Sequence, residues 1–185
     1  MSSEKTYLGQ KGYTIYKNSI SDSMYKSICD ELRVGPYVPK SMAKIEKFPI
    51  YRESSQKLYV PRYYGEKKFG QPQEINLSIG ESIDVPFTGD LHDYQETIVS
   101  TYMNSVKNDM GGGLLEVPCG RGKTICALSI VSKLKKKTLV IVHKGFLLNQ
   151  WIERIEQFLP NARIGKIQGQ VCDIEGKDIV IGMLQ

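Results

Sequence analysis

Between Leu114 and Ile130 the chain reads LLEVPCGRGKTICALSI. No other stretch restricts its fold as strongly. A loop that cradles phosphate needs backbone N–H groups converging on a helix N-terminus, and a lysine that reaches the outer phosphates. A hydroxyl beside that lysine helps to hold Mg²⁺. Gly120, Arg121 and Gly122 supply the tight turn, Lys123 the charge and Thr124 the hydroxyl. An apolar run precedes them and a helical pattern follows, which is the context the motif requires. The usual first glycine is replaced by Val117, followed by Pro118 and Cys119. Lys123 and Thr124 are therefore the candidate catalytic residues, with Gly120, Arg121, Gly122, Lys123 and Thr124 as the nucleotide-binding set. Thr124 is also the candidate Mg²⁺ ligand. Arg121 either touches a phosphate or stays a solvated loop residue, and Cys119 packs as a small side chain.

A loop of this kind sits in a parallel α/β sheet, and the surrounding pattern predicts one. A helix over Asp93 to Lys107 leads to a turn at NDMGGG and an expected strand, LLEV. After the loop come a helix from Thr124, a strand TLVIV at 138–142 and a helix from about Leu147 to Phe158. Short strands RIGKI and DIVIG close the series. Strands that are nearly all apolar and alternate with helices are those of a sheet covered on both faces. The first 88 residues follow a different grammar. GYTIYK at 12–17 reads as a strand, and Ser21 to Leu32 as a helix with Met24, Ile28 and Leu32 on one face. VGPYVPK at 34–40 breaks that helix. FPIY and KLYVP are expected to pair as a hairpin turning through RESSQ. The predicted organisation is thus a small mixed α+β domain over 1–88, followed by a P-loop parallel α/β sheet over 89–185.

Composition matters mainly through where the charge lies. The formal net charge is +5, and eight bases against three acids between Lys40 and Lys68 account for all of it. Arg52, Lys57 and Arg62 lie there with Tyr51, Tyr59, Tyr63 and Tyr64, and Phe69 follows directly. Cations that follow phosphates and rings that stack on bases are the means of single-strand binding. Arg52, Lys57, Arg62, Tyr63 and Tyr64 are therefore candidate nucleic-acid contacts, and a hairpin would set several rings on one face. The alternative is that the rings form a small core and the lysines keep it soluble. Lys133 and Lys135 to Lys137 read as a solvated helix end that suits the dipole. No apolar run approaches the ~20 residues that cross a bilayer, so no membrane association is expected. Four widely spaced cysteines, none in a C-x-x-C pair, suggest reduced thiols rather than a zinc site or disulfides.

VPCGRGKT resembles the variant loop, small-x-x-Gly-x-Gly-Lys-Thr, of superfamily 2 helicases and translocases, with Val117 larger than usual at its first position. LHDYQ at 91–95 is similar to their Leu-x-x-Tyr-Gln signature, which implies that Gln95 reads the adenine edge. TLVIVHKGFLLNQWIERIEQF resembles their next strand, loop and helix, whose loop touches the nucleic-acid backbone. That makes Lys144 a nucleic-acid candidate and leaves His143 as a hydrogen-bonded loop histidine. DIVIGMLQ is similar to a strand and loop that usually read Thr-x-Gln, with Met183 in the threonine position before Gln185. The resemblance runs from Leu91 to Gln185 and implies a RecA-like motor domain that uses ATP and Mg²⁺. It points to the repair and transcription translocases, including those of large DNA viruses, and so to DNA rather than RNA. VPRYYGEKKFG resembles, more faintly, a segment ahead of the motor in some viral helicases. A monomer is expected, cytoplasmic or nuclear, or in a virion for a viral protein.

Hydrolysis in such enzymes needs an aspartate and glutamate after an apolar strand. No such pair occurs here, since Asp30-Glu31 lies in an amphipathic helix. The resemblance places the motif just after Gln185, so the chain reads as an N-terminal fragment with an incomplete first motor domain and no ATPase activity of its own. Two other functions fit a P-loop. One is a small-molecule phosphotransferase, disfavoured by LHDYQ. The other is an adaptor that keeps the loop as scaffold, disfavoured by the intact Lys123 and Thr124.

Overall fold

A computed structural model describes residues 6–36, 46–108 and 112–184. The chain forms two compact units, Met1–Ile79 and Gly80–Gln185. Lys40, Lys44, Gln185 and parts of the expected breaks at 34–40 and 108–113 lie outside the described residues.

In the first unit, strands β1 (Thr6–Gly9) and β2 (Gly12–Tyr16) form a hairpin. Helix α1 (Asp22–Glu31) follows, capped by the Ser21 hydroxyl, which accepts from the Met24 N–H. That is the start the sequence predicts. Strand β3 (Arg33–Val34) pairs with β4 (Phe48–Pro49), and β5 (Arg52–Glu53) pairs with β6 (Lys57–Val60). A hairpin does form there, but its first strand is Arg52–Glu53, placed in the expected turn, because Phe48 and Pro49 pair with β3 instead. Helix α2 (Arg62–Phe69) and strand β7 (Glu74–Ile75) complete a five-stranded sheet in the order β5-β6-β2-β1-β7.

Alternation along these strands turns Leu8, Tyr13, Ile15, Leu58 and Val60 to one buried face, against Ile28 and Leu32 of the helical side. Tyr13 anchors it. Its ring stacks on Phe69 at 6.2 Å and its hydroxyl donates to the Gly70 carbonyl at 3.2 Å. Gly65 brings the α2 backbone against that ring, where a Cβ would collide.

Glu31 ties α1 to α2. Its carboxylate accepts from Lys68 Nζ (2.7 Å), Tyr64 Oη (2.6 Å) and Ser27 Oγ (2.8 Å). The Lys68 ammonium, then these two hydroxyls, hold its pKa down at about 2 against an ordinary 4.5. A depressed folded-state pKa stabilises above the unfolded value and stops doing so as the pH falls through the folded one. The α1–α2 link is thus expected to weaken from about pH 4.5 down to about pH 2. Acid titration of tyrosine NMR shifts should show this for the wild type and a flat response for Glu31→Gln.

The second unit begins earlier than the expected boundary at 88/89. Ile83 and Val85 are buried in its core, and the Ile83 N–H donates to the Lys135 carbonyl. The lysine run contributes here and is not merely a solvated helix end. Lys135 pairs with Asp84, Lys137 pairs with Glu81, and Lys136 donates to the Gly80 carbonyl.

Helix α3 (Asp93–Asn108) packs on α4 (Lys123–Leu134) through Val99, Cys126 and Ile130. Strand β8 (Thr138–Val142), helix α5 (Gly145–Phe158), the hairpin β9 (Ile164–Gln168) and β10 (Val171–Asp173), and β11 (Ile179–Met183) follow. The sheet order is β10-β9-β11-β8, with β9, β11 and β8 parallel. Asp178 fastens the start of β11 to that of β9 through a bidentate pair with Arg163 and a bond from the Arg163 N–H. Val142, Ile179 and Ile181 pack under α4 and α5, among Leu128, Leu148 and Ile155.

The expected strand LLEV is absent. Residues 112–118 run without strand pairing, and Leu114 is 92% exposed. Glycines precede the segment and Pro118 ends it, so local propensity does little to hold it extended. Its apolar tether is Leu115, packed against the Val99, Cys126 and Ile130 cluster. No helix of the described residues is long and apolar enough to cross a membrane.

Candidate functional site

Gly120 and Gly122 both adopt left-handed backbone, at φ +77° and +73°. This reverses the chain so that the first-turn amides of α4 face out of the loop. Gly122 is the N-cap, offers no side chain to those amides, and the first turn holds no acid. A Cβ on Gly120 would meet nothing within 4 Å, so open space lies over the turn. Lys123 is exposed and Thr124 half-buried at the start of the helix. Uncapped N–H groups, a cation and a hydroxyl in this arrangement fit phosphate oxygens and a Mg²⁺ ion.

Lys123 Nζ donates to the carbonyls of Val117 (3.1 Å) and Pro118 (3.3 Å). The ammonium thus lies across the strand-less segment and ties it to the helix. Val117, in the place of the expected first glycine, contributes its carbonyl.

Gln95 is only 3% exposed. Its Oε1 accepts from the His92 N–H at 3.0 Å, and its Nε2 donates to the Arg121 carbonyl at 3.3 Å. The structure thus joins Gln95 to the glycine turn, 26 residues away in sequence. A planar amide retains one donor and one acceptor position beyond these two bonds.

Tyr94, not among the expected site residues, joins the same group. Its ring stacks with His92 at 5.5 Å and lies 5.2 Å from the Arg121 guanidinium. Its position beside Gln95 at the first turn of α3 was the available signal. Gln95, Arg121, Gly120, Gly122, Lys123 and Thr124 are therefore gathered around one helix N-terminus, with Tyr94 at the side.

Lys144 is the N-cap of α5, directly after β8. A short turn joins α4 to β8, so the two run in opposite directions, and the α4 N-terminus lies at the end of the sheet where β8 stops. Lys144 and the loop accordingly share the carboxyl edge, where parallel α/β sheets carry their sites.

The first-unit candidates divide. Arg52 and Lys57 lie on one face of the five-stranded sheet, as their pairing with Tyr59 and Tyr16 requires. Arg62, Tyr63 and Tyr64 do not join them on a hairpin face. They lie on α2, where Tyr64 is bound to Glu31 and Tyr63 is 54% exposed beside Arg62. No group of three or more His, Cys, Asp or Glu side chains able to hold a metal occurs among the described residues.

Residues 88–185 match the family model described as "Type III restriction enzyme, res subunit". The chain is 35% identical over 188 residues to a "Putative ATP-dependent RNA helicase" of Acanthamoeba polyphaga mimivirus, covering 98% of this chain and 36% of the relative. It is 34% identical over 103 residues to a DNA 3'-5' translocase of Sulfurisphaera tokodaii, covering 54% of this chain and 21% of the relative. The chain thus spans about a third or less of the length of these relatives. A solved SWI2/SNF2 ATPase core of Sulfolobus solfataricus in complex with dsDNA aligns over 58% of this chain and 24% of its own, at 24% identity and a TM-score of 0.46.

Proposed function

From the premise that this chain belongs to the type III restriction enzyme res-subunit family, within the superfamily 2 helicases and translocases, we propose that it is the nucleotide-binding part of an ATP-driven nucleic-acid motor. The observation that carries this reading is the uncapped, outward-facing first turn of α4, with Lys123 and Thr124 on it and Gln95 fastened to its glycine turn. Lys123 and the amides of the turn would hold the phosphates, and Thr124 the Mg²⁺. Gln95 has one donor and one acceptor position left for a base edge. Lys144, on the same edge of the sheet, would touch the polymer backbone. ATP is the nucleotide that the names of the relatives imply. The polymer in this reading is DNA, on the strength of the translocase relative, and the working form is a monomer.

The test is thermal. Mg–ADP at 100 times its dissociation constant stabilises a binding-competent unit by ~2.7 kcal/mol, which raises its melting temperature by several degrees. No shift at millimolar Mg–ADP would leave the loop as scaffold and overturn the reading. This chain alone is expected to release no phosphate above background, with or without polynucleotide, because the acidic pair that positions water is not in it. A malachite-green assay that found turnover, lost in Lys123→Ala, would contradict that.

A further inference from the structure

Both helices of the first unit pack on one face of its sheet, leaving the opposite face to a set of side chains that the nucleotide site does not use. Register places Tyr7, Thr14, Tyr59 and Arg52 in one row across β1, β2, β6 and β5. Tyr16 and Lys57 form the next pair on the same face. Thr14, in the middle, is 1% exposed, so the larger residues around it roof the sheet there.

Three rings therefore stand on one platform. Tyr7 and Tyr16 lie 6.4 Å apart, and Tyr59 stands two strands from Tyr7, roughly 10 Å away. Cations sit among them. Lys57 Nζ is 4.9 Å from the Tyr16 ring and 5.3 Å from the Tyr7 ring. Lys11, on the exposed β1–β2 turn, is 5.0 Å from Tyr59. Arg52 is exposed at the end of the row. Among the described residues, the one acid that register places on this face is Glu74, beyond Tyr7 at the β7 edge. At the Tyr16 end, a hollow of about 410 Å³ opens between Tyr16, Lys17, Asn18, Ser55 and Gln56.

We infer that this face binds a single strand of nucleic acid, with bases on Tyr7, Tyr16 and Tyr59 and phosphates on Lys11, Arg52 and Lys57. Rings interleaved with cations match a polyanion whose bases are free to leave their partners. Duplex DNA hides its base faces and offers these rings nothing. The rings read no sequence, because every base has a π-face. Arg62, Tyr63 and Tyr64 are on the other side of the unit and take no part.

The test is fluorescence anisotropy with the whole 185-residue chain, without nucleotide, against labelled single-stranded oligo-dT, oligo-rU and a duplex of about 15 residues. Both single strands should bind and the duplex should not. Three phosphate contacts imply a roughly twentyfold loss of affinity between 50 and 200 mM salt. Tyr59→Ala should weaken binding roughly five- to 150-fold, the range of one stacked base, whereas Tyr59→Trp should restore it. Tyr63→Ala should leave it unchanged. Equal affinity for duplex, wild-type binding by a folded Tyr59→Ala variant, or an equal loss in Tyr63→Ala would each overturn the inference. If Tyr59→Ala fails to fold, Lys11→Glu decides from its exposed turn: unchanged affinity there also overturns it. The readout uses no ATP and is independent of the outcome at the P-loop.

Discussion

Gly122→Ala is expected to remove the nucleotide-induced thermal shift and also to lower the melting temperature of the second unit without nucleotide. The residue sits at φ +73°, a conformation that costs an L side chain roughly 1–2 kcal/mol. Its new methyl would also collide with the Gln95 amide. Gln95 would have to leave the Arg121 carbonyl, and the turn would lose the bond that joins it to α3. Lys123→Ala makes the informative contrast. It removes a cation whose hydrogen bonds among the described residues go to the carbonyls of Val117 and Pro118, at the surface, so the unliganded melting temperature should stay near wild type. Nucleotide affinity should fall roughly ten- to 150-fold, the range for charged hydrogen bonds worth ~1.5–3 kcal/mol. Differential scanning fluorimetry with and without Mg–ADP separates the two. If Gly122→Ala keeps both its melting temperature and its shift, the bond between Gln95 and the turn does not shape the site.

Tyr13→Ala should unfold the first unit while the second melts as before. The side chain is fully buried, stacked on Phe69, bonded to Gly70 and pressed against Gly65. Removing a large core aromatic costs about 3–5 kcal/mol. A unit of this size stands only ~5–15 kcal/mol above its unfolded state, and small units lie near the lower end. Hydrogen exchange is the suitable measurement. Protection should vanish along β1, β2 and β6 and persist in α4 and β11. Retained protection in all five would show that the sheet does not depend on this ring.

The parts of the fold that could be read in advance are those with strong local signals. Apolar runs placed β8 and β11, Ser21 placed the start of α1, and the Gly-x-Gly-Lys-Thr turn placed α4. The glycine turn with Lys123 and Thr124 at the start of α4 was legible because residue type and order specify that local geometry. Three features were not, each for a physical reason. Helix α2 is bracketed by Pro61 and Gly70, a proper start and stop, yet Gly65 in its interior argues against a helix. Packing requires that glycine, since Tyr13 lies where its Cβ would be. LLEV has the composition of a strand but pairs with none, although β8 stands as an edge of the sheet, and composition does not fix which edge a run joins. The row formed by Tyr7, Tyr59 and Arg52 depends on register between strands more than 40 residues apart, which nothing local encodes. Tyr63 and Tyr64 do not join Arg52 on one face because they lie on helix α2 and not on a strand.

Each unit closes around its own apolar interior, one centred on Tyr13 and the other on Ile155 and Ile181. In evolutionary terms, the two halves can therefore accumulate change separately. A repacking near Leu58 imposes no matching repair near Leu128, and drift among the surface tyrosines leaves the glycine turn undisturbed. A lineage could retune the exposed sheet face of the first half while inheriting the glycine turn of the second unaltered.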